Sequence, residues 1–205
     1  MKSREGLQLK GRITINTYRA GMVEKVTPLL NELRALRSSA PEFPGILRLS
    51  RIAELKEEIE AIKAAHFLRT AVECPNLIMD SPGYGLDLII QRLVGNNTNS
   101  LNILWIELGT GTTPPTVNDT GLTAPAVRAG VSFQEDFGAT DAIVQAFISD
   151  ANLPNGSYSE MGSFIDGTSM IGTGQIFNHA VSSPAYSKVS GQDTTIELDI
   201  TIVNS

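Results

Sequence analysis

The stretch from Leu101 to Phe133, LNILWIELGTGTTPPTVNDTGLTAPAVRAGVSF, constrains the fold more than any other part of the chain. Its apolar run, Leu101 to Leu108, has no wholly polar alternate set, which is the pattern of a strand buried on both faces. The run stops at Gly109, and a loop rich in Gly, Thr, Pro, Asn and Asp follows to Gly121. Val127, Ala129, Val131 and Phe133 then alternate with Arg128, Gly130, Ser132 and Gln134, as in a half-buried strand. A core strand and an amphipathic strand thus flank a long polar loop that Pro114 and Pro115 stiffen.

The N-terminal half mixes strand and helix signals. Leu7, Leu9, Ile13 and Ile15 share one parity, which predicts a strand with one buried face. Arg19-Ala20-Gly21 can turn it, with Met22 to Val26 pairing back as a short second strand. Thr27-Pro28 reads as an N-cap and first helical position, and Leu29, Leu30, Leu33 and Leu36 mark the apolar face that follows. Pro41, Pro44 and Gly45 end that helix. A second helix is expected from about Ser50 to Ala71, with Ile52, Leu55, Ile59 and Ile62 as a narrow seam among Glu and Lys, which suits a helical hairpin packed on its own domain or, as the alternative, a contact with a neighbouring subunit. Ser81-Pro82 opens a third, whose apolar residues from Leu86 to Leu93 predict a buried helix.

After the central stretch the chain reads as short strands and turns: Ala142 to Ile148, Tyr158 to Ile165, Gln175 to Val181, and a last strand in which Ile196, Leu198, Ile200 and Ile202 oppose a wet face. Pro154-Asn155-Gly156 and Asp166-Gly167 supply turn chemistry between them. The fold expected is α+β, an antiparallel β-sandwich core (residues 1–26 and 70–205) with an inserted helical hairpin (residues 27–69).

Composition narrows the function. A formal net charge of −6 provides no positive field for phosphates, so direct nucleic-acid binding is not expected. No run reaches the ~18–20 apolar residues that span a bilayer, and MKSREGLQLK has no apolar core of a signal peptide. Cys74, the one cysteine, has no partner for an intrachain disulfide. The Gly109-Thr110-Gly111-Thr112-Thr113 loop lacks the Lys and the following helix of a phosphate loop; Pro114-Pro115 come next. His66 and His179 lack a second ligand at metal spacing, and Asp119, Asp150 and Asp166 sit in turn sequences without calcium-loop spacing. Met161-Gly162-Ser163 is not a nucleophile elbow, and Glu160 is a single carboxylate. No enzyme activity, metal or cofactor is expected from these residues.

Several segments together resemble a family of phage virion proteins, small tail, baseplate or tail-fibre-associated subunits. They are the N-terminal LKGRITINTYRAGMVEKV, the Asn-Leu-Ile element and helix in PNLIMDSPGYGLDLIIQRLVG, and IELGTGTTPPTVNDTGL with its Gly-Thr-Gly-Thr loop and later Asp-Thr-x-Leu. NGSYSEMGSF and SSPAYSKVSGQDTTIELDITIV complete the order. Met161, Ser163 and Phe164 depart from the small residue and Gly-Leu-Phe usual after the Glu, and His179 lies near a place that often holds Arg. The resemblance covers most of the chain except about Thr27 to Arg69. It implies a non-enzymatic structural subunit of the virion, assembled in the host cytoplasm, that joins the tail to fibres or to neighbouring subunits. Its partners would be other virion proteins and further copies of itself in symmetric multiples. Contacts are expected at Leu55, Ile59 and Ile62 on the helical seam and at Thr112, Pro114, Pro115 and Asp119 on the loop. The alternatives are a neck or head-decoration protein, or a carbohydrate-binding sandwich at a fibre tip using Tyr158, Tyr186 and Trp105.

Overall fold

The computed structural model describes residues 7–38 and 45–204. Its elements run β1 (Leu7–Arg19), α1 (Met22–Ser38), α2 (Gly45–His66), β2 (Phe67–Ile78), α3 (Leu86–Leu93), β3 (Ile103–Gly109), β4 (Pro125–Gly130), β5 (Phe133–Asp136), β6 (Asp141–Ile148), β7 (Gly156–Ile165), β8 (Gln175–Lys188) and β9 (Gln192–Asn204). The class is α+β with a β-rich core. The strands expected as two facing layers are hydrogen-bonded into one nine-stranded sheet, in the order β4-β3-β7-β8-β2-β1-β9-β6-β5. Every pairing is antiparallel.

The sheet curls until both halves share one core. Ile13, Ile15, Val72, Val144, Ile196 and Leu198 from one half meet Ile106, Leu108, Met161, Phe177 and Ala180 from the other. The two edge strands are consecutive in the chain. Between them the Val131 N–H donates to the Leu104 carbonyl at 2.9 Å and the Ser132 N–H to the Gln145 carbonyl at 2.8 Å. The alternation from Val127 to Phe133 is therefore split between β4 and β5, because the chain leaves one half of the sheet and joins the other at Val131.

The helices correct the sequence expectations. Met22 to Val26 is not a strand but the start of α1; Met22, Val26, Leu30 and Leu33 follow helical spacing and are all buried. Pro28 lies inside the helix, where the Thr27 hydroxyl donates to the Val23 carbonyl at 2.7 Å. The buried Asp193 fixes the entry, taking the N–H of Val23 and that of Asp150, each at 2.8 Å. The second helix stops at His66, and the following residues form β2, whose early part pairs with β1 from Phe67 to Asn76 and whose end pairs with β8 at Leu77 and Ile78. The first turn of α3 is at Leu86, not Ser81, and the helix is not buried throughout: Ile90, Leu93 and Val94 are exposed while Leu88 faces the core.

The helical hairpin covers the outer face of the half-sheet formed by β1, β9, β6 and β5. Tyr18, Phe133 and Phe147 pack against Leu30, Leu55 and Ile59. The polar parity of the last strand is accordingly not all wet, and Thr195 is 2% exposed. Arg34 and Arg37 of α1 donate to the carbonyls of Ser132 and Gln134 along the β5 edge, at 3.1 and 2.8 Å. Replacing Leu55, which has no exposed surface, by Ala is expected to cost about 2–5 kcal/mol, read as a lower urea midpoint at unchanged slope.

Candidate functional site

The densest polar chemistry lies on the outer face of the half-sheet formed by β4, β3, β7 and β8. Register places Arg128, Glu107, Gly162 and His179 opposite one another in turn across these strands. Glu160 shares this face, two residues before Gly162 on β7.

Two charge clusters flank Gly162. In the first, Arg128 and Glu107 form an ion pair with side chains 1% and 0% exposed. The guanidinium lies over the rings of Trp105 and Phe164, 5.1 and 5.0 Å from their centroids, and its Nη2 donates to the Thr173 carbonyl at 2.7 Å. The Gly172 N–H donates to Glu107 Oε1 at 2.8 Å, which ties the segment between β7 and β8 to the pair.

The second cluster is built on Glu160, whose side chain has no exposed surface. Its Oε1 accepts the Thr123 N–H at 2.5 Å and its Oε2 the Ala124 N–H at 2.9 Å. His179 Nε2 lies 3.0 Å from Glu160 Oε1, and Nδ1 lies 2.7 Å from Asp119 Oδ2. Asp119 in turn takes the Thr116 N–H at 2.9 Å and its hydroxyl at 2.7 Å. Burial pushes the Glu160 carboxyl up, but the N–H groups of Ala124 and Thr123, with His179, outweigh it and hold the acid below the ordinary carboxylate range. Asp119 is likewise pushed up by burial and held down more strongly by Thr116 and His179.

These contacts anchor the Thr123–Ala124 end of the 110–124 loop and Asp119 within it, and at the near end the Thr110 N–H donates to the Ala124 carbonyl at 2.9 Å. The Gly-Thr-Gly sequence is explained by contact: a Cβ on Gly111 would sit 2.5 Å, and one on Gly109 2.6 Å, from Glu160 Oε2. The anion beside this glycine loop is the chain's own carboxylate. Leu122 folds back over Gly162, where a Cβ would stand 2.9 Å from Leu122 Cδ2. The Ser159 hydroxyl donates to the Gly111 carbonyl at 2.8 Å, and the Asp80 N–H to that of Val117 at 2.9 Å.

Chemically the arrangement is a clasp. The carboxylates of Asp119 and Glu160 sit on opposite nitrogens of a ring that is 1% exposed, so the three donors do not converge on one point. Among the described residues no group of His, Cys, Asp and Glu is placed to hold a metal. The other turn aspartates also have internal partners. Asp150 takes Lys188 Nζ at 2.5 Å and the Gly191 N–H at 2.9 Å, and Asp166 takes the Ser100 N–H at 2.9 Å. His66 lies 3.0 Å from Lys25 Nζ and 2.9 Å from the Ile62 carbonyl.

The residues expected to make contacts divide into two groups. Leu55 and Ile59 are buried and Ile62 half-buried, all against their own chain, so they form no free seam; the outer face of the sheet takes up their apolar surface. Thr112 and Pro114 are exposed on the loop, and Pro115 and Asp119 half-buried. Tyr158 and Tyr186 are 5% and 1% exposed, and Trp105 packs under Arg128, so none offers an open aromatic platform. The pairing of Glu160 with His179, and of Glu107 with Arg128, was not foreseen from sequence. The available signal was parity: Glu160, Gly162 and Phe164 share a face in any strand reading, and β8 returns beside β7.

No protein-family model, curated protein or solved structure matches the chain.

The stability supplied by Glu160 and Asp119 is present above the unfolded carboxylate values, about pH 4, and is lost as pH falls through their lower folded values. Urea unfolding between about pH 2 and 5 should therefore show a steep acid limb. Glu160→Gln should flatten that limb and lower stability at pH 7, since a neutral amide replaces an anion that accepts two buried N–H groups.

Proposed function

We propose that the chain is a non-enzymatic structural subunit of a phage virion, acting in the tail or baseplate region by joining fibres or neighbouring subunits. One observation carries this reading. The scattered residues behind the resemblance, Gly109, Gly111, Asp119, Leu122, Glu160 and Gly162, converge on one knot around the buried Glu160 and His179. Their order along the chain then reflects one spatial constraint, which is the kind of feature relatives share without sharing chemistry. The sandwich reading belongs to the same proposal, with the two halves of the curled sheet taken as its facing layers.

Two features supply surface for assembly. The 110–124 loop is anchored at both ends and presents Thr112, Thr113 and Pro114 to solvent, so little ordering entropy remains to be lost on binding. The helical hairpin is inserted at a place that needs no insertion: Tyr18 of β1 pairs with Phe67 of β2, so a tight turn would connect the strands. An element unnecessary for sheet connectivity is available for contacts special to this chain.

The test is absolute mass in solution by light scattering, with mass spectrometry of purified particles made by the genome that encodes the chain. A defined multiple of 22.0 kDa, reduced when Thr112 and Pro114 are changed to Asp, together with presence in particles, is expected. A chain absent from salt-washed particles defeats the proposal.

A further inference from the structure

We propose that His179 is held as a doubly protonated imidazolium whose two N–H groups clasp the 110–124 loop to the sheet, and that breaking its contact to Asp119 frees the Thr116–Asp119 turn while the Thr123 end stays held. The inference stands on hydrogen-bond geometry and does not rest on the function proposed above. Both ring nitrogens face carboxylate oxygens, at 2.7 Å on Asp119 and 3.0 Å on Glu160. A carboxylate can only accept, and a neutral imidazole has one N–H. A neutral ring would therefore leave a lone pair against an anionic oxygen in a site that is 1% exposed. Two N–H protons satisfy both contacts and place one positive charge between two negative ones.

Among the described residues, the groups seen to face the ring are anionic or apolar. Glu160 faces the ring from β7, Asp119 faces it from the loop, and β2 presents Leu77 opposite it. The nearest further charges in the row, Glu107 and Arg128, lie beyond Gly162 and are paired with each other. The exposed Asp80 meets the loop through its backbone N–H.

The two carboxylates are unequally tied. Glu160 is fully buried and holds two backbone N–H groups from the Thr123-Ala124 end of the loop. Asp119 is 25% exposed and its other partners belong to its own turn, at Thr116. Asp119 is therefore the weaker side of the clasp: without its contact to Nδ1 the loop opens at the Thr116–Asp119 turn and stays held at Thr123.

The chain has 2 histidines, so side-chain nitrogen NMR on the whole protein reads them directly, with His66→Gln identifying His179. Both His179 nitrogens should carry protons, and exchange of the loop amides near Thr116 should rise about tenfold in Asp119→Asn, which keeps the side-chain shape and removes the charge, while the Thr123 and Ala124 amides change little. A His179 ring with one bare nitrogen, or exchange near Thr116 indifferent to Asp119→Asn, would each overturn the proposal.

Discussion

The carboxylate of Glu160 is the constraint on which much of the molecule depends. An ionised acid without exposed surface is tolerated only when its lone pairs are met, and here two backbone N–H groups and an imidazole meet them. The two N–H groups come from Thr123 and Ala124, so satisfying the charge brings the far end of a long loop back onto β7. The near end must pass the same oxygens, which is why glycines stand at positions 109 and 111. Leu122 then lands on Gly162. One buried charge thus dictates a loop path and two glycine positions, and the loop it draws in seats Leu122 against a third glycine, Gly162.

A second constraint is closure of the sheet. A nine-stranded sheet has two edges, and unpaired edges invite pairing with other chains. Here β4 and β5 are one continuous segment that changes sides at Val131 and Ser132 and holds the two ends together. The β5 edge carries arginine side chains from α1 on its carbonyls. The helical hairpin therefore both covers an apolar outer face and occupies part of an edge, with Asp193 holding its first turn against the start of β9.

The exceptions to the sequence reading are instructive in particular places. Met22 to Val26 has a strand-like composition and follows a glycine turn, yet it continues the helical period of Leu30 and Leu33; the Thr-Pro pair that signals a helix start is only a local preference and was outweighed by packing. Phe67 to Val72 continues an apparently helical run but pairs with β1, because the hairpin must return to the strand it left. Leu55 and Ile59 offered the spacing of a self-association seam, and spacing does not distinguish a partner helix from the outer face of the chain's own sheet.

By itself the sequence determined what local periodicity and turn chemistry determine: a β-rich α+β chain, the core identity of Ile106 and Leu108, the alternating last strand, and a long loop after Gly109. Tertiary structure alone decided which distant residues share a site. Glu160 and His179 lie on neighbouring strands, Asp119 on a loop far from both in sequence, and no spacing rule links them. Contacts within one element repeat with its period and are written in the sequence. Contacts between elements depend on register, curl and loop path, which emerge only when the whole sheet has closed.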